Sequence, residues 1–139
     1  MKKFISIVCT LLVLTAALCA CAPAVTFQTS GAGYEVAAIK TAEQALDRTA
    51  GSGNTLLTVT LATSDRDLDD AQSSFMPVDG EPCYVTDGSG QYPCARLAFE
   101  SNGTDVQAVL LFEVPSGWAA GGKEFSLGGS AFSPVALKK

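Results

Sequence analysis

Asn54 to Thr63 reads NTLLTVTLAT. Leu57, Val59 and Leu61 alternate with Thr58 and Thr60. A period of two puts successive side chains on opposite faces of a strand, here an apolar face and a hydroxyl-bearing one. β-Branched residues also suit a pleated, half-buried surface. Working outward, Val106 to Val114 (VQAVLLFEV) carries Ala108, Leu110, Phe112 and Val114 on one face. Val109 and Leu111 make its other face apolar too, which predicts a central strand. Gly33 to Lys40 (GYEVAAIK), Ala95 to Glu100 (ARLAFE), Phe125 to Leu127 and Ala131 to Leu137 complete the main strands, with shorter ones at Ser74 to Val78 and Pro82 to Asp87. Pro134 marks the last strand as an edge, since proline donates no ladder hydrogen bond. Short apolar runs separated by Gly, Ser and Thr are the texture of a sandwich or barrel. The expected fold is all-β, a β-sandwich with one short helix near residues 42–49. There Thr41 and Gln44 have capping-box spacing, Ala42, Ala45 and Leu46 share a helical face, and Gly51 can end it.

The amino terminus has a different character. Met1-Lys2-Lys3 is a basic head, and Ile5 to Leu18 is apolar except for Ser6, Cys9, Thr10 and Thr15. That order is the pattern of a secretory signal, and the run is short for a spanning helix. Leu18-Cys19-Ala20-Cys21 resembles the lipobox of bacterial lipoproteins: an aliphatic residue, two small residues, then the cysteine that receives the lipid. Cys19 departs from the usual Ala or Ser at its position. The plainer alternative is an ordinary signal peptide cut near Ala22 or Ala24. The expected organisation is a leader over 1–20, a lipidated (palmitate-bearing) Cys21 with a short tether over 21–30, and one domain over 31–139.

Loss of Lys2 and Lys3 would take nine basic residues to seven against fourteen acidic ones, a net charge near −7. No nucleic acid is expected as a partner, because phosphate binding rests on basic clusters. The same balance disfavours electrostatic adhesion to an anionic bilayer, so the lipid on Cys21 is the expected membrane contact. The expected location is the extracytoplasmic face of the cell membrane.

Of five cysteines, Cys83 and Cys94 alone lie beyond Cys21. Two otherwise unemployed cysteines outside the cell usually pair. If Gly88-Ser89 is a hairpin loop, Tyr84 faces Pro93 and Cys83 faces Cys94, within the Cα separation a disulfide spans. The alternative is two free thiols. There is no histidine, which removes the commonest general base and transition-metal ligand.

Asp65, Asp67 and Asp69 alternate as at the start of a calcium loop, but Asp70 replaces the required glycine and Met76 stands where a bidentate Glu belongs. A solvated loop is the better reading, and no cofactor is expected. Trp118, the single tryptophan, either anchors a partner or plugs the open end of the sandwich, the plug being favoured. Tyr84 and Tyr92 on the proposed hairpin carry the same alternatives. Asn102-Gly103-Thr104 fits a glycosylation acceptor and reads here as a hairpin turn. No nucleophile elbow, phosphate loop or metal-spaced cysteine cluster occurs, so the chain is not expected to be an enzyme. The leading expectation is a binding module for a protein or cell-envelope component. The alternatives are a calcium-dependent adhesion or stabilisation module and a carboxylate-based hydrolase.

GYEVAAIK, then NTLLTVTLAT, then the tyrosine-bearing turn CYVTDGSGQY, then VLLFEVP and a late FSL give an order of segments that resembles a known family. It is similar to the telokin-like, immunoglobulin-like domains of Gram-positive lipoproteins, themselves similar to a secreted mycobacterial immunoprotective antigen. The resemblance covers roughly Gly31 to Leu137, with Leu111-Phe112-Glu113-Val114-Pro115 its most distinctive part. It implies an immunoglobulin-like β-sandwich outside the cell, with no catalytic residues to carry over. The short tether and the Cys83/Cys94 pair depart from the family pattern.

Overall fold

The computed structural model describes residues 24–63, 68–103, 105–118 and 122–139. The leader, Cys21, Asp65 and Asp67 lie outside the described residues. The strand built on NTLLTVTLAT spans Asn54–Thr63 as expected; it is β5. Before it come β1 (Thr26–Gln28), β2 (Gly33–Ala42), β3 (Gln44–Ala45) and β4 (Arg48–Thr49). After it come α1 (Leu68–Phe75), β6 (Tyr84–Thr86), β7 (Gln91–Asn102), β8 (Asp105–Pro115), β9 (Glu124–Gly128) and β10 (Val135–Lys138). No helix among the described residues is long and apolar enough to cross a membrane.

The expectation of an all-β fold holds. Eight strands follow one hydrogen-bonded order, β1-β2-β5-β8-β7-β6-β9-β10, every pair antiparallel. β7 makes this continuity. Its residues 91–93 pair with β6, and its residues from Cys94 onward pair with β8. Ala95 is the extra residue of a bulge between Cys94↔Phe112 and Arg96↔Leu111. A bulge bends a strand and sharpens its twist, so one strand serves both halves. The outcome is a nearly closed, barrel-like sheet, coarser than the sandwich expected from the sequence. β10 is an edge strand, as Pro134 implied.

β8 is central, between β5 and β7. Leu57, Val59 and Leu61 stand directly opposite Phe112, Leu110 and Ala108, and all six are buried in the main core. Val85, Phe125, Leu127 and Leu137 meet them from the other half. Each fully buried Leu, Val or Phe contributes about 1.5–3 kcal/mol. Leu56, Val109 and Leu111, on the opposite face, are buried as well but stand outside that core. β3 packs against β5, and Arg96, paired with Leu111, donates from its guanidinium Nη1 to the Leu46 carbonyl at 2.8 Å. The β3–β4 hairpin is thereby held over that second apolar face.

The expected helix near residues 42–49 is not formed. Ala42 still belongs to β2, paired with Leu56, and Gln44↔Thr49 and Ala45↔Arg48 form a tight hairpin. Leu46 (φ 48°) and Asp47 (φ 62°) both take positive φ, as a type I′ turn requires and a helix forbids. A helix forms instead at Leu68–Phe75, taking in Asp69 and Asp70 of the stretch expected as a solvated loop and the first two residues of the strand expected over Ser74 to Val78. Asp69 and Asp70 occupy its first turn, favourable for the helix dipole, and Ala71, Ser74 and Phe75 form its buried face.

Candidate functional site

α1 closes one end of the barrel. Phe75 is fully buried, with its ring 5.1 Å from Tyr34, 5.5 Å from Phe132 and 6.2 Å from Phe27. Phe27 also approaches Phe132 at 5.3 Å, so aromatic rings bridge the gap between β1 and the segment leading into β10. Asp70 locks the helix in place. Its Oδ2 accepts from Thr29 Oγ1 and from the Tyr34 hydroxyl, both at 2.8 Å. Gly31 lies so close that a Cβ there would collide with Asp70 Oδ1.

Trp118 closes the opposite end, just beyond β8. It is 9% exposed, with ring centroids 5.2 Å from Phe125 and 5.5 Å from Tyr92. The plug, rather than the exposed anchor, is therefore the role its surroundings give it. Its Nε1–H is buried without a hydrogen-bond partner among the described residues. Such a group usually costs about 1–3 kcal/mol.

Tyr84 and Tyr92 separate. The expected register is present: Tyr84↔Pro93, Val85↔Tyr92, Thr86↔Gln91. Val85 is fully buried, so Tyr92 opposite it faces inward and packs on the core. Tyr84, one residue earlier, faces outward by strand alternation. Its ring lies over Gly128, where a Cβ would stand 2.6 Å from Cζ. The two tyrosines expected on one aromatic tip thus belong to opposite faces, both half-buried.

The hairpin tip, Asp87 to Gly90, is fixed by polar contacts. Asp87 Oδ1 accepts from Ser89 N at 2.9 Å and from Ser89 Oγ at 2.6 Å. The hydroxyl of Ser89, then its backbone N–H, hold the Asp87 carboxyl below its ordinary range. Gly88 has φ 91°, a conformation open to glycine at little cost.

Cys83 and Cys94 are both buried and are present as thiols. Cys94 N donates to the Cys83 carbonyl at 2.7 Å, continuing the hairpin register by one residue. The hydrogen bond between the side chains, then burial, push the Cys83 thiol up.

Of the acidic stretch, Asp69 and Asp70 lie among the described residues. Asp69 is an exposed helical residue and Asp70 is committed to Thr29 and Tyr34. Among the described residues no group of three or more Cys, Asp or Glu is placed to hold a metal ion. Glu35 and Glu100 share one cross-strand row through Ala62 and Gln107. Three interstrand steps set them about 14 Å apart. A glycosidase pair stands about 5–9.5 Å apart. A groove lined by Thr26, Gln28, Glu35, Thr63, Asp105 and Gln107 among others is open to solvent.

Two features went unread in the sequence. Asp70 as the tie between α1 and the β1–β2 hairpin had no local signal, since Thr29 and Tyr34 are remote in the chain. Arg96 as the clamp on the β3–β4 hairpin needed that hairpin first. No family model, curated protein or solved structure matches this chain.

Proposed function

We propose that the chain is a lipid-anchored protein of the extracytoplasmic membrane face. Its β-domain binds a protein or cell-envelope component and catalyses no reaction. The observation that carries the reading is the lipobox-like Leu18-Cys19-Ala20-Cys21 behind a basic head and an apolar run, close before the domain. Val25 is already part of the fold, its carbonyl accepting from Val36 N at 2.9 Å. Four residues of extended chain span at most about 14 Å. A lipid on Cys21 would hold the barrel against the headgroups rather than on a stalk. Two or three acyl chains make such an anchor durable where one does not.

The antiparallel all-β fold supports the immunoglobulin-like, telokin-like reading at the level of class. The binding role draws on Tyr84, an aromatic on the outer face, half-exposed and backed by Gly128. A tyrosine held against a strand loses little conformational entropy when a partner covers it.

The test is Cys21→Ser in the full chain, with radiolabelled palmitate and membrane fractionation as readouts. The expected result is loss of label and release from the membrane fraction. Retention of the unlabelled variant in the membrane would overturn the lipid anchor. A purified wild-type protein that captures nothing from an array of envelope proteins and glycans would count against the binding role.

A further inference from the structure

We propose that Cys83 and Cys94 are joined by an intramolecular disulfide that staples the crossing of β7 between the two halves of the barrel. Three observations on geometry support it. The Tyr84↔Pro93 register, extended by one residue, opposes the two cysteines, and Cys94 N bonds to Cys83 O at 2.7 Å. Opposed residues of antiparallel strands have Cα atoms about 4.5–5.5 Å apart, inside the range a disulfide spans. Both side chains turn into the core, 1% and 4% exposed.

The position also gives the bridge a structural role. Cys83 N donates to the Phe75 carbonyl at the end of α1 at 2.9 Å. Cys94 immediately precedes the bulged Ala95, where β7 changes partner from β6 to β8. One covalent bond there ties the end of the helix, the short strand β6 and both arms of β7. β6 has three residues, too few to hold its register unaided.

The chemistry is thiol–disulfide exchange with a dithiol oxidant or oxidised glutathione. One cysteine thiolate attacks a sulfur of the oxidant's disulfide, forming a mixed disulfide and expelling one thiolate. The second cysteine, giving its proton to solvent, attacks the mixed disulfide at the protein sulfur. The new S–S bond closes and the second thiolate leaves. Two protein thiols are oxidised and one oxidant disulfide is reduced to two thiols. Because both sulfurs are buried, closure accompanies folding, and the finished bridge is shielded from reductant.

Only the oxidation state in the cell rests on the exported location proposed above. The experiment keeps the two apart. Full-length chain in detergent is reduced in denaturant, refolded in a reduced and oxidised glutathione buffer, quenched with an alkylating agent and digested. The expected product is a linked peptide pair containing Cys83 and Cys94. The melting temperature of the bridged form should stand about 10 °C above the reduced form of the same sequence. Alkylation of both Cys83 and Cys94, glutathione adducts on both, or a bridged form that melts below the reduced one would overturn the proposal. If the bridge forms in the buffer but protein taken from cells carries thiols, the disulfide geometry stands and the exported location falls.

Discussion

The Tyr34 hydroxyl donates to Asp70 Oδ2 at 2.8 Å, joining β2 to the first turn of a helix that follows β5. Thr29 donates to the same oxygen at the same distance, and Ser74 Oγ lies 3.5 Å away. Hydrogen bonds to a carboxylate contribute about 1.5–3 kcal/mol each, more than neutral ones. Asp70→Ala should therefore lower stability by about 3–5 kcal/mol, and Tyr34→Phe by about 1.5–3 kcal/mol. Chemical denaturation of both single variants and the double variant checks this. If the two losses simply add, the residues are not coupled through this bond.

The Asp70 contacts show why this region was illegible in the sequence while the central strands were not. Leu57, Val59 and Leu61 announce themselves by alternation, because one face of β5 meets Phe112, Leu110 and Ala108. Asp69 and Asp70 announce only negative charge. That charge fits a calcium loop and a helix N-terminus equally well, and the choice is made by Ala71, Ser74 and Phe75 burying one helical face. Thr41, Ala42, Gln44, Ala45 and Leu46 likewise match a helix on paper. The long partner β5 instead extends β2 through Ala42, and the chain must reverse at once to return to it. Tertiary pairing outweighs a few tenths of a kcal/mol of helix propensity per residue. The Cys83/Cys94 register was legible because it depends on one turn alone.

Arg96 bonds the Leu46 carbonyl and lies 3.9 Å from Asp47, both contacts on the exposed surface. Arg96→Ala should cost little global stability, about 1 kcal/mol or less. It should sharply reduce hydrogen-exchange protection over β3 and β4 while leaving β5 and β8 protected. Equal loss of protection in all four strands would show that the hairpin is not a separately held flap.

Glu113 Oε1 accepts from Asn54 Nδ2 at 2.9 Å and from Gly51 N at 2.8 Å. The Asn54 amide first, then the Gly51 N–H, lower its pKa below the ordinary value of 4.5. A carboxylate favoured in the folded state stabilises at pH above the ordinary value. That contribution is lost as pH falls through the lowered one. Wild type should lose stability relative to Glu113→Gln on acidification below about pH 4.5, with a constant difference above pH 6. Thermal melts of the two across pH 3 to 7 decide this; parallel curves throughout would contradict the shift.

Trp118 combines favourable ring contacts with a buried N–H that has no partner among the described residues. The two effects can be separated by substitution. Trp118→Ala empties the barrel end and should cost about 3–5 kcal/mol. Trp118→Phe keeps an aromatic plug and removes the unsatisfied donor, so its loss should be below about 1.5 kcal/mol. A Phe variant as unstable as the Ala variant would mean that the indole nitrogen has a partner after all.

The opposite facing of Tyr84 and Tyr92 gives a further contrast between adjacent positions of one hairpin. Tyr92 turns inward, its ring 5.5 Å from Trp118, while Tyr84 turns outward over Gly128. Tyr92→Ala removes buried aromatic surface and the contact with the end plug, and should cost about 3 kcal/mol or more. Tyr84→Ala removes half-exposed surface and should cost about 1 kcal/mol. Gly128→Ala should reproduce the Tyr84 loss indirectly, because the added methyl would stand 2.6 Å from the ring and must displace it. The same asymmetry should govern a partner. A binding partner found with the wild-type protein should be lost on Tyr84→Ala while the variant remains folded at the assay temperature. Tyr92→Ala should weaken binding only in proportion to the unfolded fraction. Binding that survives both Tyr84→Ala and Gly128→Ala would move the interaction surface away from the β6–β9 face.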